Sequence, residues 1–440
     1  MTTRGRSFRR GEPGYEQARR ATCWNARLAD RYPDLIVQAN DEHDVVEAIR
    51  SARREGMKVG VRSGGHSWSA NHVREGGMLL DVSRLAAVTI DRAGMRATAG
   101  PGRAGHELAR MLAREGLFFP AGHCEGVCLG GYLLQGGFGW HGRTLGPACA
   151  SVIGIDFVDG EGELRHADEH ENPDMFWAAR GSGPGFFGVV VRFHLRVYPR
   201  PRFIGLRTAV YPIERLAEVF AWAHAIGPEV PRSIELMLMV SRDTPGVRGP
   251  GISVLAPVFE SGPIAALRAT SFMRSRPRRA ALALPLVPTP LSFLYRGVMR
   301  HYPRDHRYAV DNMWTHAAFD DLLPGLERIA ASLPDAPSHM LWMNWAPPRD
   351  RSDMAFSLED EIYIALYGVW QRAEDDARVG TWAVERMREL APLASGCQLA
   401  DENLGQRPAR FVADSNLERL DSLRSARDPE GRFHPWMGRP

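Results

Sequence analysis

The sequence predicts an α+β fold, and three observations predict it. Short β-like runs alternate with helical periodicity over residues 33–120; a glycine-dense block at 122–146 leads into a hairpin pattern; and residues 204–395 carry further strands and helices with few glycine motifs. A chain of 440 residues has room for about two to three domains with cores of their own.

In the first region "DLIVQA", "KVGVRS", "GMLLDVS", "AVTID" and "MRATAG" read as strands, and "EHDVVEAIRSARREG" and "AGHELARMLAREG" as helices. The helix at 42–55 opens on Glu42 and Asp44, ends in arginines and has Gly56 as its C-cap, with Val45, Val46 and Ile49 turned to a sheet. "ASVIGIDFVDGEGELRHA" turns on "DGEG" as a β-hairpin. A helix starts after Asn172, a glycine loop follows, and an apolar strand begins at Val189. The prolines and arginines of "YPRPRF" stop that strand and place a boundary near residue 203, so 1–203 and 204–395 are read as separate domains.

Composition narrows the partners. Hydrophobic residues make up 44%, charged residues 24%, and the net charge is +3, which gives no electrostatic footprint for nucleic acid. The polar stretch "MTTRGRSFRRGEPGYEQARR" lacks the apolar core of a secretory signal, and the longest apolar run, "AALALPLVPTPLSFLY", is short and interrupted by three prolines. The expectation is a cytoplasmic protein with no membrane partner, monomeric or homodimeric; the "RSRPRRA" at 274–280 is read as a solvated turn. Cys23, Cys124, Cys128, Cys149 and Cys397 are scattered and show no zinc spacing, so neither a disulfide framework nor a metal is expected.

Two glycine blocks point to chemistry. In "RSGGHS" (Arg62, Ser63, Gly64, Gly65, His66, Ser67) a glycine turn leaves main-chain N–H groups open to a diphosphate and sets an imidazole directly behind them. In "GHCEGVCLGGYLLQGGFG" the glycines, among them Gly130, Gly131, Gly136, Gly137 and Gly139, surround Cys124 at a density whose backbone-entropy cost suits close approach to a ligand. Neither block has the spacing of a dinucleotide-binding G-x-G-x-x-G or of a G-K-[ST] phosphate loop.

With "NPDMFWAARGSGPGFFGVV" at 172–190 and "NLERLDSLRSARDPEGRF" at 416–433, these blocks resemble, in order, the berberine bridge enzyme-like branch of the vanillyl-alcohol oxidase/p-cresol methylhydroxylase flavoproteins. The resemblance implies a two-subdomain FAD-binding domain, an α/β substrate domain with an antiparallel sheet, and a C-terminal segment, 396–440, that packs back on the FAD domain. It implies FAD bonded through His66 at the 8α-methyl carbon and through the Cys124 sulfur at C6, the glycine turns about the pyrophosphate, and the Gly188–Val189 main chain at the adenosine end. Val127 stands where relatives control oxygen access, and a valine resembles the O2-reactive members. Arg180 is read as a brace, Trp177 and Cys128 as packing.

The family's usual base is missing. Ala413 stands at a tyrosine position, and Gln398 and Ala400 replace an upstream Tyr-x-Asn. On "EIYIALYGVW" a period of two puts Glu361, Tyr363 and Tyr367 on one face, where a tyrosine would take a hydroxyl proton and Glu361 relay it. "HMLWMNWAPP" offers Met340, Trp342 and Asn344 as either pocket wall or core. The resulting expectation is an oxidase that moves hydride from an alcohol-type carbon of a small organic molecule to FAD and electrons to O2, with a dehydrogenase or oxidative cyclase, or a flavin-binding protein without turnover, as the rivals.

Overall fold

The computed structural model describes residues 5–346 and 352–439. The elements expected up to residue 116 form at Leu35–Gln38, Glu42–Arg54, Val59–Arg62, Met78–Asp81, Val88–Asp91, Arg96–Ala99 and Gly105–Arg114. At the head of Glu42–Arg54 the Asp41 carboxylate accepts the Asp44 N–H at 2.9 Å, a cap of about 1 kcal/mol. Gly56 follows the last turn with φ 66°, a conformation that costs glycine nothing.

These elements build two sheets. Arg6–Arg9, Leu35–Gln38, Met78–Asp81 and Val59–Arg62 form a four-stranded sheet in that order, its last two pairings parallel. Val88–Asp91, Arg96–Ala99, Val189–Arg196, Val152–Val158 and Leu164–Ala167 form a five-stranded antiparallel one, with the expected hairpin as its last pair. Val45, Ala48 and Ile49 of the first long helix and Leu108 and Leu112 of the second share one core with both sheets. Leu420, Phe433 and Trp436 join that core from the far end of the chain. The Val59 N–H donates to the Arg432 carbonyl at 2.7 Å and the His434 N–H returns to the Val59 carbonyl at 3.2 Å, so the C-terminal segment extends the first sheet at its edge.

The remaining sheet has seven antiparallel strands, ordered Leu282–Pro288, Phe203–Pro212, Gly251–Glu260, Leu236–Ser241, His339–Asn344, Ile362–Trp370 and Arg307–Thr315. One face carries Met340, Trp342, Ile362, Ile364 and Leu366 into a core shared with Leu322, Leu326 and Met387 of the covering helices. The other face turns toward the glycine blocks, packing Met343 and Tyr363 in a cluster with Phe138 and Trp140. Both faces are apolar because both are covered.

Candidate active site

A cavity with an empty volume of about 2150 Å³, its open mouth included, runs between the glycine blocks and the seven-stranded sheet. Arg62, Ser63, Gly64, Gly65, His66, Ser67, Cys124, Val127, Gly130, Gly131 and Gly188 all line it. The amide N–H groups of Gly64, Gly65, His66 and Ser67 are taken up by no backbone acceptor among the described residues, and all four residues line the cavity, so the turn has donors to spare for an anion. That is the arrangement a diphosphate requires. The turn is itself fixed from behind: Gly65 has φ 71°, its carbonyl accepts the Trp24 N–H at 2.9 Å, and Arg62 is tied to Asp81 at 2.9 Å.

Other expected contacts lie elsewhere. Gly136, Gly137 and Gly139 do not line the cavity; an added Cβ there would strike Phe356, Ala148 and Tyr132, and the Ala121 carbonyl, so their smallness serves packing beneath the loop. Val189 is buried in the core opposite Val158, while its neighbours Gly188 and Val190 reach the cavity. Trp177 is core, its indole N–H on Asp353 at 2.8 Å, and Arg180 braces the same segment through the Asp353 carbonyl at 2.8 Å.

The His66 imidazole stacks on Trp24, with centroids 5.1 Å apart. Desolvation, then the charges of Arg62 and Arg304, lower its pKa to about 3, so at neutral pH the ring is uncharged. Cys124 is held the other way: desolvation, then the Asp401 charge, push its thiol up to about 12.

On the opposite wall Tyr363 and Tyr367 lie on the cavity face, as the period of two requires. Glu361 does not join them. It precedes the strand, its exposed side chain does not line the cavity, and its carbonyl accepts the Trp345 and Ala346 N–H groups. The carboxylate that meets the tyrosines is Asp401: its Oδ2 accepts from Tyr363 Oη at 2.5 Å and Tyr367 Oη at 2.8 Å, and its Oδ1 from Trp68 Nε1 at 2.6 Å. Burial, then the Asp401 charge, raise both phenols well above their ordinary range, so they are neutral hydroxyls.

Asp401 ends the short turn Leu399–Asp401, and two clamps hold that turn over the tyrosines. Asn312, on the neighbouring strand, donates to the Gln398 and Asp401 carbonyls at 3.0 and 2.8 Å and accepts the Gln398 N–H at 2.7 Å. Glu402 accepts Ser69 Oγ at 2.5 Å and Asn71 Nδ2 at 2.8 Å, tying the turn to the loop that carries His66. Around this polar cluster the wall is apolar. Met237, Met239, Leu255, Leu341 and Met343 project from the sheet and Val298 from the helix Leu291–Met299. In the strand His339–Asn344 it is therefore Leu341 and Met343 that face the cavity, and Met340 and Trp342 are core.

Comparison with known proteins agrees with this geometry. A sequence profile described as an FAD binding domain matches residues 33–168. The chain is 32% identical over 427 residues to the FAD-linked oxidoreductase ptmO of Penicillium ochrochloron, an alignment covering 96% of this chain and 94% of that one. Its fold is similar to that of 6-hydroxy-D-nicotine oxidase from Arthrobacter nicotinovorans, with TM-score 0.86, 22% identity and coverage of 99% and 97% of the two chains. BBE-like 1 of Physcomitrella patens superposes with TM-score 0.86, 17% identity and the same coverage. The open donors of the Gly64–Ser67 turn and the cavity they face suit a flavin dinucleotide. On its full-length similarity to ptmO and its matching FAD binding domain, the chain belongs to the FAD-linked oxidoreductases, and it shares its fold with BBE-like 1.

Proposed function

We propose that the protein is an oxidase with a covalently held FAD, converting a hydroxyl-bearing carbon of a bulky apolar substrate to a carbonyl and delivering the electrons to O2 as H2O2. The observation that carries this reading is the Asp401 carboxylate bridged by two tyrosine hydroxyls in the cavity that His66 and Cys124 also line. FAD, when bound, supplies the hydride acceptor and the O2-reactive reduced ring.

The chain's own residues supply the remainder. His66, neutral at physiological pH, is the attachment nucleophile, and Cys124 is the second attachment point, its thiol needing a base because burial holds it protonated. Tyr363 and Tyr367 cannot serve as phenolate bases. Each acts instead as a relay: the substrate hydroxyl gives its proton to the phenolic oxygen while the phenol gives its own to Asp401, which removes one proton as the carbon loses hydride. Val127, which lines the cavity, is the residue at which O2 would reach the reduced cofactor in this reading.

Substrate class follows from the wall. A sugar would bury several hydroxyls against methionine and leucine side chains, each without a partner and each costing about 1–3 kcal/mol. A lipophilic alcohol with one hydroxyl aimed at Tyr363 fills the same space without that cost. Intact mass under denaturing conditions for the wild type, His66→Ala and Cys124→Ala, followed by anaerobic bleaching with paired panels of lipophilic alcohols and sugars, tests the reading. Protein that carries no flavin when FAD is in excess, or that is bleached by sugars and not by lipophilic alcohols, would overturn it.

A further inference from the structure

The unpaired edge of the seven-stranded sheet combines two features that are scattered elsewhere. Between Glu260 and Asp305 the chain has eight arginines and no acidic residue, although the chain as a whole is only +3. Among the described residues none of the eight enters an ion pair, and Arg274, Arg278, Arg279, Arg296 and Arg300 are exposed. The same segment holds five of the six exposed large hydrophobics among the described residues: Ile264 (66%), Leu267 (58%), Leu284 (43%), Val287 (43%) and Phe293 (56%). Single exposed apolar side chains are ordinary on a protein surface, but five gathered in a segment of unpaired arginines are not.

We propose that this edge docks on an anionic lipid surface, the apolar side chains entering the headgroup boundary and the arginines meeting lipid phosphates. Two alternatives fit less well. A second copy of the chain would bring one arginine-rich segment, short of acidic partners of its own, against another, a like-charge juxtaposition. Strand addition by a partner protein is hindered by Pro285 and Pro288, which remove N–H donors from the edge strand Leu282–Pro288. An interfacial contact needs neither self-complementarity nor a free ladder, only basic side chains beside apolar ones. Among the described residues no helix is long and apolar enough to cross a membrane, and peripheral docking requires none.

The location gives the contact a use. The helix Leu291–Met299 exposes Phe293 on its outer side and sends Val298 into the cavity wall, so docking would place the cavity beside the layer into which apolar molecules partition. This use rests on the proposed substrate class; the docking itself does not.

The test is cosedimentation of the full-length, flavin-loaded protein with vesicles of phosphatidylcholine alone and of phosphatidylcholine mixed with phosphatidylglycerol. Binding is expected to the mixed vesicles only and to weaken with added salt. It should fall about tenfold or more in Arg274→Gln/Arg278→Gln/Arg279→Gln and in Leu284→Ser/Phe293→Ser. An unchanged flavin spectrum and circular dichroism certify each variant as folded. No binding to mixed vesicles, equal binding to both kinds, or binding that survives both sets of substitutions would overturn the proposal. A dimer in light scattering that Leu284→Ser/Phe293→Ser dissociates would give the face to a second copy and also overturn it.

Discussion

Replacing Asp401 with Asn isolates the group on which the proposed chemistry turns. The carboxylate accepts three hydrogen bonds, from Trp68 at 2.6 Å, Tyr363 at 2.5 Å and Tyr367 at 2.8 Å. An amide keeps one acceptor oxygen and turns two N–H donors toward the rest, so at least one buried donor loses its partner. A lost hydrogen bond to a charged acceptor is worth about 1.5–3 kcal/mol, and a drop of this order in unfolding free energy is expected. The kinetic effect is larger. Removing the terminal proton acceptor forfeits a factor of about 100 to 10,000, equivalent to about 3–5 kcal/mol in the barrier. The assay is stopped-flow bleaching of the flavin by the best alcohol of the panel without oxygen, across a range of pH. Asp401→Asn should lose the rate at every pH tested, and Asp401→Glu should restore part of it. A bleaching rate within about threefold of wild type in Asp401→Asn would refute the relay, because the general-base contribution would then be absent.

Tyr363→Phe and Tyr367→Phe remove the two hydroxyls that share Asp401 Oδ2, and at least one is expected to slow bleaching about tenfold or more; wild-type rates in both would take the strand out of the mechanism. In intact-mass measurements each of His66→Ala and Cys124→Ala should keep covalent flavin and the double variant lose it. The fraction linked through Cys124 alone should rise with pH, since its thiol is held at about 12. Acid lability follows from His72 and His339, which burial lowers from 6.5 to about 3. The unfolded chain protonates first as pH falls, so their contribution is intact above about 6.5, declines toward 3, and costs about 2 kcal/mol per histidine at about pH 5. Urea midpoints at the two pH values should show this loss, and His72→Gln should reduce it; a pH-independent midpoint would contradict the burial of neutral imidazole.

The cofactor side of the site was legible because its signals are local. A histidine after two glycines, and a cysteine in a run of glycines, are contiguous in the chain and carry their geometry with them. Gly136, Gly137 and Gly139 show the limit of that reading, since a glycine forced by a neighbouring ring looks in sequence like one forced by a ligand. The substrate side is assembled from residues far apart. Asp401 meets tyrosines 34 and 38 positions earlier because Asn312, on the strand beside theirs, clamps its turn. The replaced Tyr-x-Asn at Gln398 and Ala400 marked the place, and the acid beside it was the available signal. For the strand His339–Asn344, alternation gave the two faces but not which one looks at the cavity, because helices cover one side and the glycine loops the other and both demand apolar side chains.

The return of the chain to Val59 also sets the order of events at birth. The first sheet, the glycine turn with His66 and the cysteine block are all synthesised within the first third of the sequence, yet the cavity they open onto is walled by Phe433 and His434 and its loop is backed by Trp436, whose indole donates to the Ser182 carbonyl at 2.7 Å and packs against Gly185. A nascent chain that ends before Phe433 therefore lacks residues that complete the cavity wall beside the glycine turn. Under the proposed covalent attachment, flavin capture waits on the segment Phe433–Trp436, and a chain truncated before Phe433 is expected to be translated and colourless.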